Sequence, residues 1–104
     1  MKSHSDYKSH KLQKEEARKL LGRMIREDGI NVLFSKHARE ELKKDGLGID
    51  DAIDVLASTE ARILKDAEFE NGTYRYRVET SSVCLVIVFN SVTELIVITA
   101  WRKK

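Results

Sequence analysis

Asp66-Ala67-Glu68-Phe69-Glu70-Asn71-Gly72-Thr73-Tyr74-Arg75-Tyr76-Arg77 places two alternating segments on either side of an Asn-Gly pair. Asn-Gly supplies the two positive-φ residues that a two-residue hairpin turn demands, so the chain is expected to reverse here. That turn sets a register. Glu70 opposes Thr73, Phe69 opposes Tyr74, Glu68 opposes Arg75, Ala67 opposes Tyr76 and Asp66 opposes Arg77. One face of the hairpin is then aromatic and predicted to pack in a core, and the other is charged. Ala61 and Ile63 extend the apolar side of the first strand, and the second strand is expected over 73–80.

Towards the C-terminus, 82–89 and 95–101 are apolar with little alternation, as expected of inner strands covered on both faces, with a turn at 90–94. A four-residue loop at 91–94 would pair Phe89 with Ile96 and bring Trp101 onto the face of Arg75 and Arg77. A one-residue change in that loop would reverse the face.

Towards the N-terminus the period becomes helical. Ala17, Leu20, Leu21, Met24 and Ile25 fall at i, i+3, i+4, i+7 and i+8, which predicts an amphipathic helix over 11–28 ended by Gly29. The run 30–34 reads either as a strand or as the entry to the next helix. Ser35 is the expected N-cap of a second helix that Gly46 stops. Asp50 or Asp51 caps a third, with Ala52, Ile53, Leu56 and Ala57 on one face. The expectation is an α+β fold, two or three N-terminal helices on a four-stranded antiparallel β-meander. Residues 1–10 form a flexible tail and residues 11–104 a single domain.

Composition narrows the function. The chain has 104 residues, 41% hydrophobic and 35% charged, enough for one small domain with a core and a charged surface. No run reaches the roughly 18 apolar residues of a membrane span, and the N-terminus has no apolar leader stretch. A single cysteine, Cys84, cannot close an internal disulfide. A cytoplasmic protein without membrane contact, cofactor or metal is expected. Net charge is +2, but residues 1–28 carry eight basic and five acidic side chains, residues 29–60 four and seven, and residues 61–104 seven and five. Basic ends around an acidic middle suit self-association, an oppositely charged partner, a phosphate-facing patch or a mixed solvated surface. On the first helix Lys14, Arg18 and Arg26 alternate with Glu15, Glu16 and Glu27, a solvated face rather than a nucleic-acid stripe.

Few residues offer chemistry. Arg75 and Arg77 share a strand face at a spacing that could clamp a phosphate, while Glu68 and Asp66 opposite them offer ordinary ion pairs. His37 lies in the first turn of a helix, where the macrodipole favours neutral imidazole, suited either to a general base or to a structural hydrogen bond. Trp101, Arg102 and Lys103 join an indole to a basic cluster that could contact RNA by stacking and phosphate pairing, or simply solubilise the chain end. Cys84 sits in an apolar strand, as a buried inert thiol does. Gly-rich phosphate loops and metal-ligand spacings are not visible.

Ser35-Lys36-His37-Ala38-Arg39-Glu40, the helix 50–57, Tyr74-Arg75-Tyr76-Arg77-Val78 and Val97-Ile98-Thr99-Ala100-Trp101 together resemble a family of small bacterial proteins with a Ser-x-His-Ala-x-Glu signature, related to the RelE/ParE-like toxin superfamily. The resemblance covers roughly residues 30–104. It implies a toxin of a toxin-antitoxin pair whose sheet face engages RNA, often on the ribosome, and which an antitoxin protein neutralises. For a metal-independent endoribonuclease of the mRNA interferase type it would make His37, Arg75 and Arg77 catalytic, and Trp101, Arg102 and Lys103 RNA-binding. Trp101 stands where such ribonucleases often carry a tyrosine or histidine, and its indole has no acid–base chemistry near neutral pH. ParE-like relatives act by binding a protein target, and a non-catalytic protein-binding module is the further alternative. The apolar strands 85–89 and 95–98 also raise a homodimer as an expectation.

Overall fold

Ser35 starts a helix because its hydroxyl accepts the Ala38 N–H at 3.0 Å, satisfying one of the donors that the first turn leaves free. Local devices of this kind delimit each element of the computed structural model, which describes residues 10–27 and 30–103. The elements run α1 (Lys14–Arg26), β1 (Asn31–Phe34), α2 (Lys36–Lys44), α3 (Ile49–Ala57), β2 (Glu68–Glu70), β3 (Thr73–Glu79), β4 (Val83–Ser91) and β5 (Glu94–Arg102). In α1 the Glu16 carboxylate accepts the Gln13 N–H at 2.9 Å, and Ala17, Leu20, Leu21 and Met24 form the buried stripe. Gly46, at φ +74°, ends α2 as expected. For α3 the cap differs from expectation. The helix begins one residue earlier, at Ile49, and the Asp51 carboxylate reaches back to the Gly48 N–H at 2.7 Å.

The fold is α+β, and the described residues form three helices and a five-stranded mixed sheet in the order β1-β5-β4-β3-β2. The four-stranded antiparallel meander is therefore corrected. Residues 31–34 form a strand, and it lies parallel to β5 through Asn31↔Glu94, Val32↔Leu95, Leu33↔Ile96 and Phe34↔Val97. Its hydrogen bonds go to the last strand of the chain, a long-range pairing that local periodicity does not encode. The helices do not all precede the sheet, because β1 lies between α1 and α2.

The hairpin register is the one that Asn-Gly imposes. Asn71 at φ +53° and Gly72 at φ +80° make the turn, and Glu70 pairs with Thr73, Phe69 with Tyr74 and Glu68 with Arg75. The first strand is shorter than its alternation suggests. Residues 61–67 contribute a single bridge, Arg62↔Glu79, before β2 begins at Glu68. Phe69 also departs from the expected core position. It is 58% exposed and packs its ring on Tyr74 at 4.7 Å between centroids, because β2 is an edge strand paired only to β3.

Tyr76, Val78, Leu85, Ile87, Phe89, Leu95, Val97 and Ala100 form the inner face of the sheet and share one core with Leu21 and Met24 of α1, Ala38 and Leu42 of α2 and Ala52 and Leu56 of α3. All three helices thus cover one side, each fully buried aliphatic contributing about 1.5–3 kcal/mol of transfer free energy. Cys84 and Val88 point to the other side and are nonetheless 1% and 4% exposed. The flexible tail expected over 1–10 lies outside the described residues apart from exposed His10, as does Gly29 at the end of α1. Among the described residues no helix is long and apolar enough to cross a membrane.

Candidate functional site

Alternation along β3 sends Arg75, Arg77 and Glu79 to the helix-free face while Tyr76 and Val78 enter the core. Across the sheet, Arg77, Val86 and Thr99 form one row, and Glu79, Cys84 and Trp101 form the next. Trp101 reaches this face through two compensating bulges in the β4–β5 pair. Asn90 is the extra residue of β4, its amide donating to Glu94, and Ile98 is the extra residue of β5. Without the second bulge Trp101 would oppose Val83 and turn into the core. The turn between β4 and β5 is a tight one closed by Ser91↔Glu94, so the four-residue loop is corrected, although the resulting face of Trp101 is the same.

The Arg77 side chain crosses β4 and lays its guanidinium over the Trp101 ring, 5.4 Å from the centroid. This is within reach of a cation–π interaction and leaves the edge N–H donors free. Among the described residues no carboxylate lies within 4 Å of it, so the expected Asp66–Arg77 ion pair is absent. Arg75 is held instead by Glu70, Nη1 to Oε1 at 3.5 Å, although Glu68 is its direct cross-strand partner. The diagonal neighbour wins, and the Arg75 Nε stays buried without a hydrogen-bond partner.

Both arginines line a cleft of about 140 Å³ together with Lys65, Asp66, Glu68, Glu70, Val86 and Thr99. Three cations against three carboxylates make a charge-balanced cleft. Lys65 and Glu70 escaped the sequence reading. Glu70 was accessible through the diagonal-neighbour rule, whereas Lys65 lies in irregular chain whose position no periodicity gives. No protein family, curated protein or solved structure matches this chain.

The other candidates lie apart. His37 is exposed on α2, whose buried residues Ala38 and Leu42 face the core on the helical side of the sheet, and it does not line the cleft. Arg102 is drawn to the C-terminus of α2, its backbone N–H donating to Asp45 Oδ2 at 2.8 Å and its Nε to the Asp45 carbonyl at 3.3 Å. Lys103 pairs with Glu79 at 2.8 Å and donates to the Thr80 carbonyl at 3.0 Å. Arg102 is thus drawn away from the helix-free face, whereas Lys103 is tied to Glu79 in the row of Trp101. Cys84 lies beneath this face with its thiol pushed up to about 11, by burial first and by Glu79 second. Such a thiol is not a nucleophile near neutral pH. Among the described residues no group of three or more His, Cys, Asp or Glu is placed to hold a metal ion.

Proposed function

We propose that this protein is a toxin-like component of a bacterial toxin–antitoxin module, RelE/ParE-like, acting in the cytoplasm on RNA or translation through the helix-free face of its sheet. The observation that carries the reading is Arg77 lying on Trp101 with no carboxylate within 4 Å among the described residues. RNA-binding sheets offer aromatic and guanidinium planes to unpaired bases; here the outer face of the Arg77 guanidinium, stacked on Trp101, would offer such a plane and its edge charge-assisted hydrogen bonds to phosphate. The unsatisfied Nε of Arg75 in the same cleft supports it, since a phosphate oxygen would provide the missing acceptor. Glu70 would then release Arg75 as the phosphate enters.

The geometry does not bring His37 to the two arginines, and a cleaving enzyme would have to draw its base from Asp66, Glu68 or Glu70 of the cleft. A metal-independent endoribonuclease needs a general base on the 2′-hydroxyl, within about 3 Å of the proton that it takes. His37, the signature histidine, is not part of the cleft. An antitoxin protein would neutralise the chain by covering the same face, and a homodimer would bury it likewise.

A second reading, a non-catalytic protein-binding module or a ParE-like toxin that binds a protein target, is favoured by the three carboxylates of the cleft and by exposed Leu33 and Phe69 on the two edge strands. Induced expression in a bacterium, beside folded Arg77→Ala and His37→Ala variants and with RNA integrity and binding followed, separates the readings. Arrest that Arg77→Ala relieves, with RNA bound to the wild-type chain and lost in the variant, is the expected result, whereas arrest with intact RNA that the chain does not bind would point to a target-binding toxin. RNA cleavage abolished in His37→Ala would establish the endoribonuclease instead. Normal growth with soluble wild-type protein would transfer the argument to the binding module.

A further inference from the structure

Four cations surround Gly22 on the outer face of α1. Arg18, Lys19, Arg23 and Arg26 line an open groove of about 430 Å³ to which no acidic or apolar side chain contributes. Glycine is the least favourable ordinary residue in a helix interior, and here it has a geometric consequence. A Cβ at position 22 would lie 3.4 Å from Nη1 of Arg26 and 3.5 Å from Nη1 of Arg18, so the two guanidiniums close over the helix backbone from one turn on either side. Arg18 is anchored there by Nε to the Ala61 carbonyl at 3.0 Å and Nη2 to the Ser58 carbonyl at 3.2 Å. Lys19, Arg23 and Arg26 are exposed, and among the described residues none of the four is ion-paired. Glu15 and Glu16 sit in the first turn of α1 and Glu27 caps its end outside the groove lining, so along the groove itself like charges stand about one turn apart.

We infer that this groove is a second RNA contact that tracks the phosphate backbone independently of sequence. The inference rests on the reading of the chain as an RNA-engaging protein and adds a site remote from the cleft of Arg75 and Arg77. A protein partner would need an aromatic or aliphatic anchor at the centre of its interface, and the groove offers none. Among the described residues its charged lining presents guanidinium and ammonium donors alone, Arg18 being already bonded to two carbonyls, and such donors are the chemistry that phosphate contacts use. Such contacts position a strand without reading its bases. Base stacking then falls to the Arg77 guanidinium on Trp101, on the other side of the molecule.

The test is the salt dependence of binding to a short mixed-sequence single-stranded oligoribonucleotide, followed by fluorescence anisotropy. The proteins compared are wild type, the triple variant Lys19→Gln/Arg23→Gln/Arg26→Gln and the single variant Arg77→Ala, all checked for native circular dichroism. Glutamine is a good helix former and the three positions are exposed, so the triple variant keeps its fold. Removing one phosphate-neutralising cation lowers the slope of log K against log salt by about 0.7, so the triple variant should drop by about 2 in slope and bind more weakly on every sequence. Arg77→Ala should change the slope less than half as much. A triple variant that retains the wild-type slope and affinity would overturn the inference, while weakening by Arg77→Ala would leave the sheet-face reading intact. Weakening in the triple variant with none in Arg77→Ala would support the groove and refute the sheet face. Binding of poly-glutamate with equal affinity and salt slope would overturn RNA in favour of an acidic protein, and so would a wild-type chain that binds no RNA.

Discussion

The Ser35 hydroxyl donates to the Ile98 carbonyl at 2.7 Å while accepting from the Ala38 N–H, so one side chain caps α2 and holds the bulge of β5. The Ser35 N–H adds a bond to the Val97 carbonyl at 3.0 Å. Ile98 is the residue whose insertion turns Trp101 to the helix-free face. Ser35, at the end of β1 beside β5, therefore supports the position of the indole.

Ser35→Ala removes the cap and leaves the Ile98 carbonyl without its hydroxyl partner. Cap loss alone costs about 1 kcal/mol, and an unsatisfied part-buried acceptor adds about 1–3 kcal/mol. Urea unfolding should show the loss as a lower midpoint. The emission of Trp101, the single tryptophan, should shift in the folded variant; an unchanged spectrum would show that the bulge holds without the serine.

The Arg77–Trp101 contact should appear as a coupling energy. A double-mutant cycle with Arg77→Met, which keeps the aliphatic stem, and Trp101→Leu should give about 0.5–1 kcal/mol for a half-buried cation–π pair. A coupling of zero would mean that the two side chains are neighbours without being partners.

Tyr76 bridges the sheet and the start of α1. Its buried hydroxyl accepts the Leu12 N–H at 2.8 Å, and its ring lies 5.2 Å from that of Phe89. Tyr76→Phe keeps the packing but leaves the Leu12 donor unpaired, at a cost of about 1–3 kcal/mol. Amide hydrogen exchange should accelerate at Leu12 while protection in β3 and β4 is retained, locating the loss at the N-terminal edge of α1.

Two buried acids predict an alkaline limit. Burial raises both Cys84, from 9.0 to about 11, and Tyr76 above 10.0, the latter opposed by its Leu12 hydrogen bond. In each case the unfolded chain loses its proton first, so unfolding releases a proton and stability falls as pH rises. For Cys84 the window runs from about 9 to about 11. Stability measured across that window should fall, and less steeply in Cys84→Ala than in wild type. In the native protein the thiol should resist thiol-directed reagents at pH 8, and rapid labelling without unfolding would contradict its burial.

Much of the fold was legible in local patterns. The apolar stripe of α1, the Ser35 cap, the Gly46 stop and the Asn71-Gly72 turn with its three cross-strand pairs depend on residues a few positions apart, where propensity and turn chemistry act directly. The candidate site was legible as membership of a face. Arg75 and Arg77 stand on the same side of β3 because side chains alternate, whatever they contact.

Contacts decided by distant chain were not legible in this way. The pairing of β1 with β5 joins residues some sixty positions apart, so a five-stranded sheet replaces the expected meander. Phe69 looked like a core aromatic by alternation, but an edge strand has no helix to bury it.

By itself the sequence determined the helical stripe of α1, the Ser35 cap, the hairpin turn and its register, and the common face of Arg75 and Arg77, because each follows from backbone geometry over a few turns or a strand pair. Tertiary structure alone decided that Glu70 rather than Glu68 holds Arg75, that Asp45 and Glu79 engage Arg102 and Lys103, and that Arg77 rests on Trp101. The physical reason is parity. A bulge at Ile98 shifts the register by one residue, a one-residue shift reverses the face of every side chain beyond it, and that bulge is held by the hydroxyl of Ser35, a residue distant in sequence at the end of β1.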